Sequence, residues 1–348
     1  MLAVLVLLAG ACGGDDDAGP STTEAPSPSA GDDEETTTTT APADGPAVPS
    51  AGCEADAPTG EVTEERREVP GLTDDEGAPR WYLLTAPEGD EPLPVVVDFH
   101  GLSEGAQVHS MMTQMGGYGL EQGFVTVFPN GTGAPVMWDV GSGADSPDLP
   151  YVDALLDDVG AARCIDTSRV YATGLSNGAM MTSLLACFRA DSFAAFAPVA
   201  GLETYDGCEP SDPEAIWAVH GTEDPILYFN GGVGDLSIVT EGEQAETTEP
   251  IPEADLDGDG YPAAAREWAD LLGCDEPTDE ELTDELIERT WSCPDGSELT
   301  FLIVVGGGHT WPGSEFSEQI VDIVGPTTTD IDANEAMWEV FQRHQLPG

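Results

Sequence analysis

The chain contains no lysine. Its cations are nine arginines set against 67 aspartates and glutamates, a formal charge of −58 over 348 residues. This balance argues against nucleic acid and anionic membrane surfaces as partners, because both would repel the chain. The same imbalance keeps a protein in solution by self-repulsion and suits a salty medium that screens it. Histidine is also scarce, five in all, so each proton-transfer candidate can be weighed by itself. No C-x-x-C pair or histidine cluster accompanies the cysteines, so neither a structural metal nor a cofactor is expected. Apart from the first eleven residues, MLAVLVLLAGA, no long apolar run occurs, and that run is too short to span a bilayer as a helix.

What is present divides the chain in three. Residues 1–12 resemble a signal segment with a lipobox, small residues preceding Cys12, although no basic residue comes first and Ala9 stands where leucine is usual. This predicts export, lipidation at Cys12 with membrane attachment through it, and an extracellular or cell-surface location. Residues 13–55 are acidic and rich in Thr, Pro and Ser, with almost no large apolar side chain to offset the entropy cost of ordering, so they read as a tether. Residues 56–348 read as the folded domain, a monomer. Six cysteines remain besides Cys12, an even number that points to three disulfides in an exported chain. Nearness in sequence pairs Cys274 with Cys293 and Cys187 with Cys208, which leaves Cys53 with Cys164.

From about residue 80, short β-rich runs alternate with helical patterns, the signature of an α/β fold with a mostly parallel sheet flanked by helices. Val95–Phe99, Phe124–Phe128, Arg169–Thr173, Phe193–Val199, Ile216–Val219 and Leu299–Val305 are continuous apolar runs, as strands buried on both faces should be. Val152, Leu155, Leu156 and Val159 recur at helical spacing, Gly178–Phe188 reads as a helix, and Asp332 with Glu335 predicts the capped start of the last one. An acidic, glycine-rich stretch near 228–262 interrupts the alternation and predicts an insertion over the active-site end of the sheet. Within it Asp255, Asp257 and Asp259 are spaced like a calcium loop, but Arg266 stands where that loop needs glutamate.

Gly174-Leu175-Ser176-Asn177-Gly178 matches G-x-S-x-G, a weak signal alone that gains force from a strand before it and a helix after it. Ser176 is the predicted nucleophile. His309, on the glycine turn Gly306-Gly307-Gly308-His309 after a strand, is the predicted base, and Asp224, after the strand Ile216–Val219, the acid that orients it. Glu223, Asp206 and Asp235 are the rivals of Asp224. The backbone N–H of Asn177 and that of Leu102, in the loop following Val95–Phe99, are the expected oxyanion donors. His100 reads as a residue shaping that loop. Trp138 and Trp311 are candidates for substrate contact, by stacking on sugar or lining an acyl pocket, with a core role as the alternative.

The set His100-Gly101, Gly174-Leu175-Ser176-Asn177-Gly178-Ala179-Met180-Met181, His220-Gly221-Thr222-Glu223-Asp224 and Gly306-Gly307-Gly308-His309-Thr310-Trp311-Pro312-Gly313 resembles the polyhydroxybutyrate depolymerase and feruloyl esterase family of secreted α/β-hydrolases. The resemblance covers about residues 60–320. It implies the α/β-hydrolase fold, a triad of Ser176, Asp224 and His309, and an ester substrate, a plant polysaccharide ester or a polyester. Two other readings stand beside it: a serine peptidase of the same fold, and a surface lipoprotein that binds polysaccharide or polymer with a dead site.

Overall fold

Strands long enough to be buried on both faces dominate the middle of the chain, and they assemble one sheet. A computed structural model describes residues 43, 45–54, 57–210, 215–240 and 250–347. The lipobox-like segment with Cys12 and most of the 13–55 tether lie outside the described residues, as do residues 241–249 of the insertion. Residues 41–348 form one unit. Its strands are β1 (Val62–Thr73), β2 (Pro79–Ala86), β3 (Leu93–Phe99), β4 (Val125–Pro129), β5 (Ile165–Leu175), β6 (Ala195–Val199), β7 (Ala215–Gly221), β8 (Thr278–Glu281), β9 (Leu286–Ser292) and β10 (Glu298–Val304). The ten-stranded order is β1-β2-β4-β3-β5-β6-β7-β10-β9-β8. Strands β4, β3, β5, β6, β7 and β10 run parallel, and an antiparallel pair closes each side.

The parallel strands coincide with the apolar runs of the sequence. The edges do not, since β1 (VTEERREVPGLT) and β8 (TDEE) turn charged side chains to water, which guards their unpaired backbone against other chains. Alternate side chains of β3 feed two cores: Val95, Val97 and Phe99 meet the helices Asp148–Ala162, Asn177–Phe188 and Tyr261–Leu272 on one face. Val96 meets Gly105–Thr113, Met115–Gln122 and Ala333–Phe341 on the other. The last of these helices is capped as its sequence predicts, Asp332 accepting from the N–H groups of Asn334 and Glu335. The insertion ends earlier than 262, because Tyr261 already begins a helix. A glycine at its N-cap and a proline at its second position mark that start.

The cysteines are joined as Cys53–Cys164, Cys187–Cys208 and Cys274–Cys293. Cys53 and Cys164 lie 111 positions apart, so their bond removes the most freedom from the unfolded chain, worth about 4 to 5 kcal/mol in the chain-entropy account. Three such bonds fit an oxidising, extracellular compartment. No helix among the described residues is long and apolar enough to cross a membrane.

Every arginine is committed. Arg66, Arg67, Arg80, Arg169, Arg189, Arg289 and Arg343 pair with carboxylates. Arg163 donates to the carbonyls of Gly60 and Pro87, and Arg266 to that of Gly258. The excess acid is therefore opposed only by solvent ions. Raising NaCl from about 0.05 M to about 1 M is expected to raise Tm by several degrees in thermal unfolding followed by circular dichroism, and a Tm unmoved by salt would count against self-repulsion.

Candidate active site

Strand β5 runs into Ser176, and the helix Asn177–Phe188 starts at the next residue. Ser176 has φ 59° and ψ −120°, a strained conformation for a side-chain-bearing residue that lifts its hydroxyl clear of the sheet. The flanking glycines are forced by contact with β3. A Cβ on Gly178 would stand 1.9 Å from the Phe99 carbonyl oxygen, and one on Gly174 would stand 2.5 Å from the same atom.

Asp224 and His309 come together from the ends of neighbouring parallel strands, β7 and β10. Their turns are laced to each other, the Glu223 N–H donating to Gly307 O and the Gly306 N–H to the Thr222 hydroxyl. His309 Nδ1 donates to Asp224 Oδ2 at 2.7 Å, which leaves Nε2 as the basic nitrogen. The other oxygen of Asp224 accepts from the N–H groups of Ile226 and Leu227, both at 2.8 Å. His220 Nε2 lies 3.2 Å from Asp224 Oδ2 and 2.9 Å from the Leu227 carbonyl. Burial works against the Asp224 charge, but the facing His309 and His220 outweigh it and hold the carboxyl well below the usual carboxylate range. Of its rivals, Glu223, Asp206 and Asp235 are exposed.

Leu102 leads the turn after β3, and its N–H has no acceptor among the described residues. Asn177 is the first residue of its helix, so its N–H has no intrahelical acceptor either. Three side chains hold the Leu102 turn. His100 donates from Nδ1 to Gly101 O at 2.7 Å and accepts at Nε2 from the Gly131 N–H at 2.9 Å; burial pushes its pKa down to about 4, so it stays neutral. Glu104 accepts from the Gly101 N–H at 2.8 Å. His109 bridges Glu104 at 3.1 Å and Asp98 at 2.7 Å, wholly out of solvent.

Ser176, His309, Asn177 and Leu102 line one cavity of about 440 Å³. No hydrogen bond joins Ser176 to His309 in this conformation; in sites without substrate such bonds often tighten only on binding. The remaining lining is mostly apolar, with Val108, Met112, Met180, Ile226, Leu227 and Phe316 among it and no arginine.

No family model matches the chain. It is 28% identical to feruloyl esterase B of Piromyces equi over 64% of this chain and 40% of that protein. It is 40% identical to the probable feruloyl esterase C of Aspergillus clavatus over 34% of this chain and 43% of that protein. The chain thus spans less than half the length of these curated relatives. The solved acetyl xylan esterase from Aspergillus awamori superposes with a TM-score of 0.53 at 16% identity, covering 80% of this chain and 99% of that one. The chain is thus similar to feruloyl esterases and has the α/β-hydrolase fold.

The expectation that Trp138 and Trp311 contact substrate needs correction. Trp138 and Trp311 are 0% and 1% exposed, and neither lines the cavity with Ser176. Trp138 is instead a clamp: its backbone N–H and C=O pair with the Asn177 side chain, and its indole N–H donates to His100 O at 2.9 Å. Trp311 donates to Asn334 and packs edge-on against His109. In the calcium-like loop Asp257 pairs with Arg289, while Asn230, Arg266 and Arg289 occupy its backbone carbonyls. No group of three metal-ligating side chains converges among the described residues. The Asp98–His109–Glu104 chain and the place of His220 beside Asp224 were missed. The spacing of His220 and Asp224 within one motif was the only hint of the second; nothing local marks the first.

Burial alone would lower the His109 pKa, but Asp98 and then Glu104 raise it from 6.5 to about 10. Stability drawn from this proton is complete below the unfolded value and is lost as pH rises toward about 10. Urea unfolding is expected to show stability falling from pH 7 to 10 with a slope of about one proton, and His109→Gln should flatten that slope. Equal slopes for the two proteins would remove the charge from His109.

Proposed function

We propose that the chain is a serine esterase that hydrolyses uncharged carboxylic esters through an acyl-enzyme. The observation that carries this reading is the His309 imidazole, oriented by Asp224, lining the same cavity as Ser176 on its strained turn. Ser176 Oγ attacks the ester carbonyl while His309 Nε2 takes its proton, and the buried Asp224 carboxylate stabilises the imidazolium. The N–H groups of Asn177 and Leu102 hold the oxyanion, each worth about 3 kcal/mol, and the helix starting at Asn177 adds its positive end. His309 then protonates the departing alcohol, and water releases the acid by the same steps in reverse.

The apolar cavity favours an apolar acyl group, and the lack of arginine disfavours acids carrying a second carboxylate. Feruloyl or other esters on plant polysaccharide fit these limits. A polyhydroxyalkanoate is the second reading, favoured by the exposed apolar rim of Met137, Val233, Leu236 and Ile323 around the cavity. The disulfides support action outside the cell, and the lipobox-like start supports attachment through Cys12, with 13–55 as tether to a monomeric domain of residues 56–348 whose charged sheet edges discourage pairing.

Ser176→Ala is expected to abolish both hydrolysis of short p-nitrophenyl esters and labelling by a fluorophosphonate, with Tm unchanged; persisting turnover would end the assignment. Asp224→Asn should lower kcat by about 10⁴ by reversing the histidine tautomer, while Glu223→Gln stays within about twofold. Comparing feruloyl, acetyl-xylan and short polyhydroxybutyrate esters decides the acyl class.

A further inference from the structure

A second cavity of about 310 Å³ shares Met180, Leu227 and Val233 with the one that holds Ser176. Its character differs, since Glu203, Thr204, Tyr261 and Glu267 line it beside Gly231, Gly232 and Gly260. Tyr261 is only 7% exposed, yet its hydroxyl has no hydrogen-bond partner among the described residues. Glu203 is fixed by its backbone, which accepts from the Trp268 indole at 2.8 Å and donates to the Ser183 hydroxyl at 3.2 Å, while its half-buried carboxyl has no partner among the described residues. Neither group is fully sealed from solvent, so both can bond a ligand in this cavity that supplies donors and acceptors.

We propose that this cavity is the subsite for the alcohol part of the ester and takes a neutral, polyhydroxylated group such as a sugar residue, held by Glu203 and the Tyr261 hydroxyl. The proposal rests on the esterase reading. An anionic alcohol finds no cation among the lining residues. A quaternary ammonium would want the face of Tyr261, and His220 already stacks on one face with centroids 3.7 Å apart. Burial and the neighbouring Glu267 also raise the Glu203 pKa, which weakens it as a counter-ion but leaves it able to bond hydroxyls. The same stack joins the subsite to the triad, because His220 touches Asp224.

The test compares a methyl ester and a xylo-oligosaccharide ester of one acid. Tyr261→Phe and Glu203→Gln are each expected to lower kcat/KM for the sugar ester by about tenfold while the methyl ester stays within about twofold, which also shows that the variants fold. Calorimetric binding of the free oligosaccharide to Ser176→Ala protein should weaken by a similar factor in the same variants. Equal losses on both esters, no loss on the sugar ester, or a larger loss on a choline ester would each overturn the proposal. If the wild type cleaves neither ester, the esterase reading falls, and the binding measurement still decides the subsite.

Discussion

The contact between the end of β3 and the turn after β5 is the constraint on which the site depends. Phe99 O lies so close to Gly174 and Gly178 that neither position can carry a side chain. That approach brings the Leu102 turn beside Ser176, as any site with a nucleophile and two amide donors requires. Trp138 then locks the two together, its backbone held by Asn177 and its indole by the carbonyl of His100. A larger residue at 178 would separate nucleophile and turn at once, whatever remained of the sheet.

Charge is handled differently at the surface and inside. Outside, the acidic excess meets only arginines already bound to a carboxylate or carbonyl, so the protein relies on salt ions for screening. Inside, isolated charges would be costly, and two of the buried histidines solve this in opposite ways. His109 is held between two carboxylates and keeps its proton; His100 sits between a carbonyl and an amide and stays neutral. Glu104 is the only carboxylate among the residues lining the mostly apolar cavity with His309, which suits a reaction whose only developing charge falls on the oxyanion and the imidazole.

Much of this was readable before any coordinates. The parallel strands announced themselves as unbroken apolar runs because both of their faces are covered. Ser176, Asp224 and His309 were readable because each follows a strand on a turn with a local signature. The edge strands were not: β1 and β8 are charged on their exposed faces and resemble loops in composition. Trp138 and Trp311 stayed open between core and substrate contact for a related reason, since burial is a property of what surrounds a side chain, and a tryptophan in the core has the same letter as one in a binding groove.

By itself, then, the sequence determined the α/β class and the arginine-only basic set and pointed to the three residues of the candidate triad, through local pattern and strand-end position, while nearness along the chain only favoured the pairing of the cysteines. Only the tertiary structure decided that His109 and Glu104 brace the Leu102 turn, that His220 sits against Asp224, and that Tyr261 and Glu203 meet in a cavity beside Ser176. Asp98 and His109 belong to a strand and a helix, and Glu203 and Tyr261 to a loop and a helix, so only packing brings each pair together.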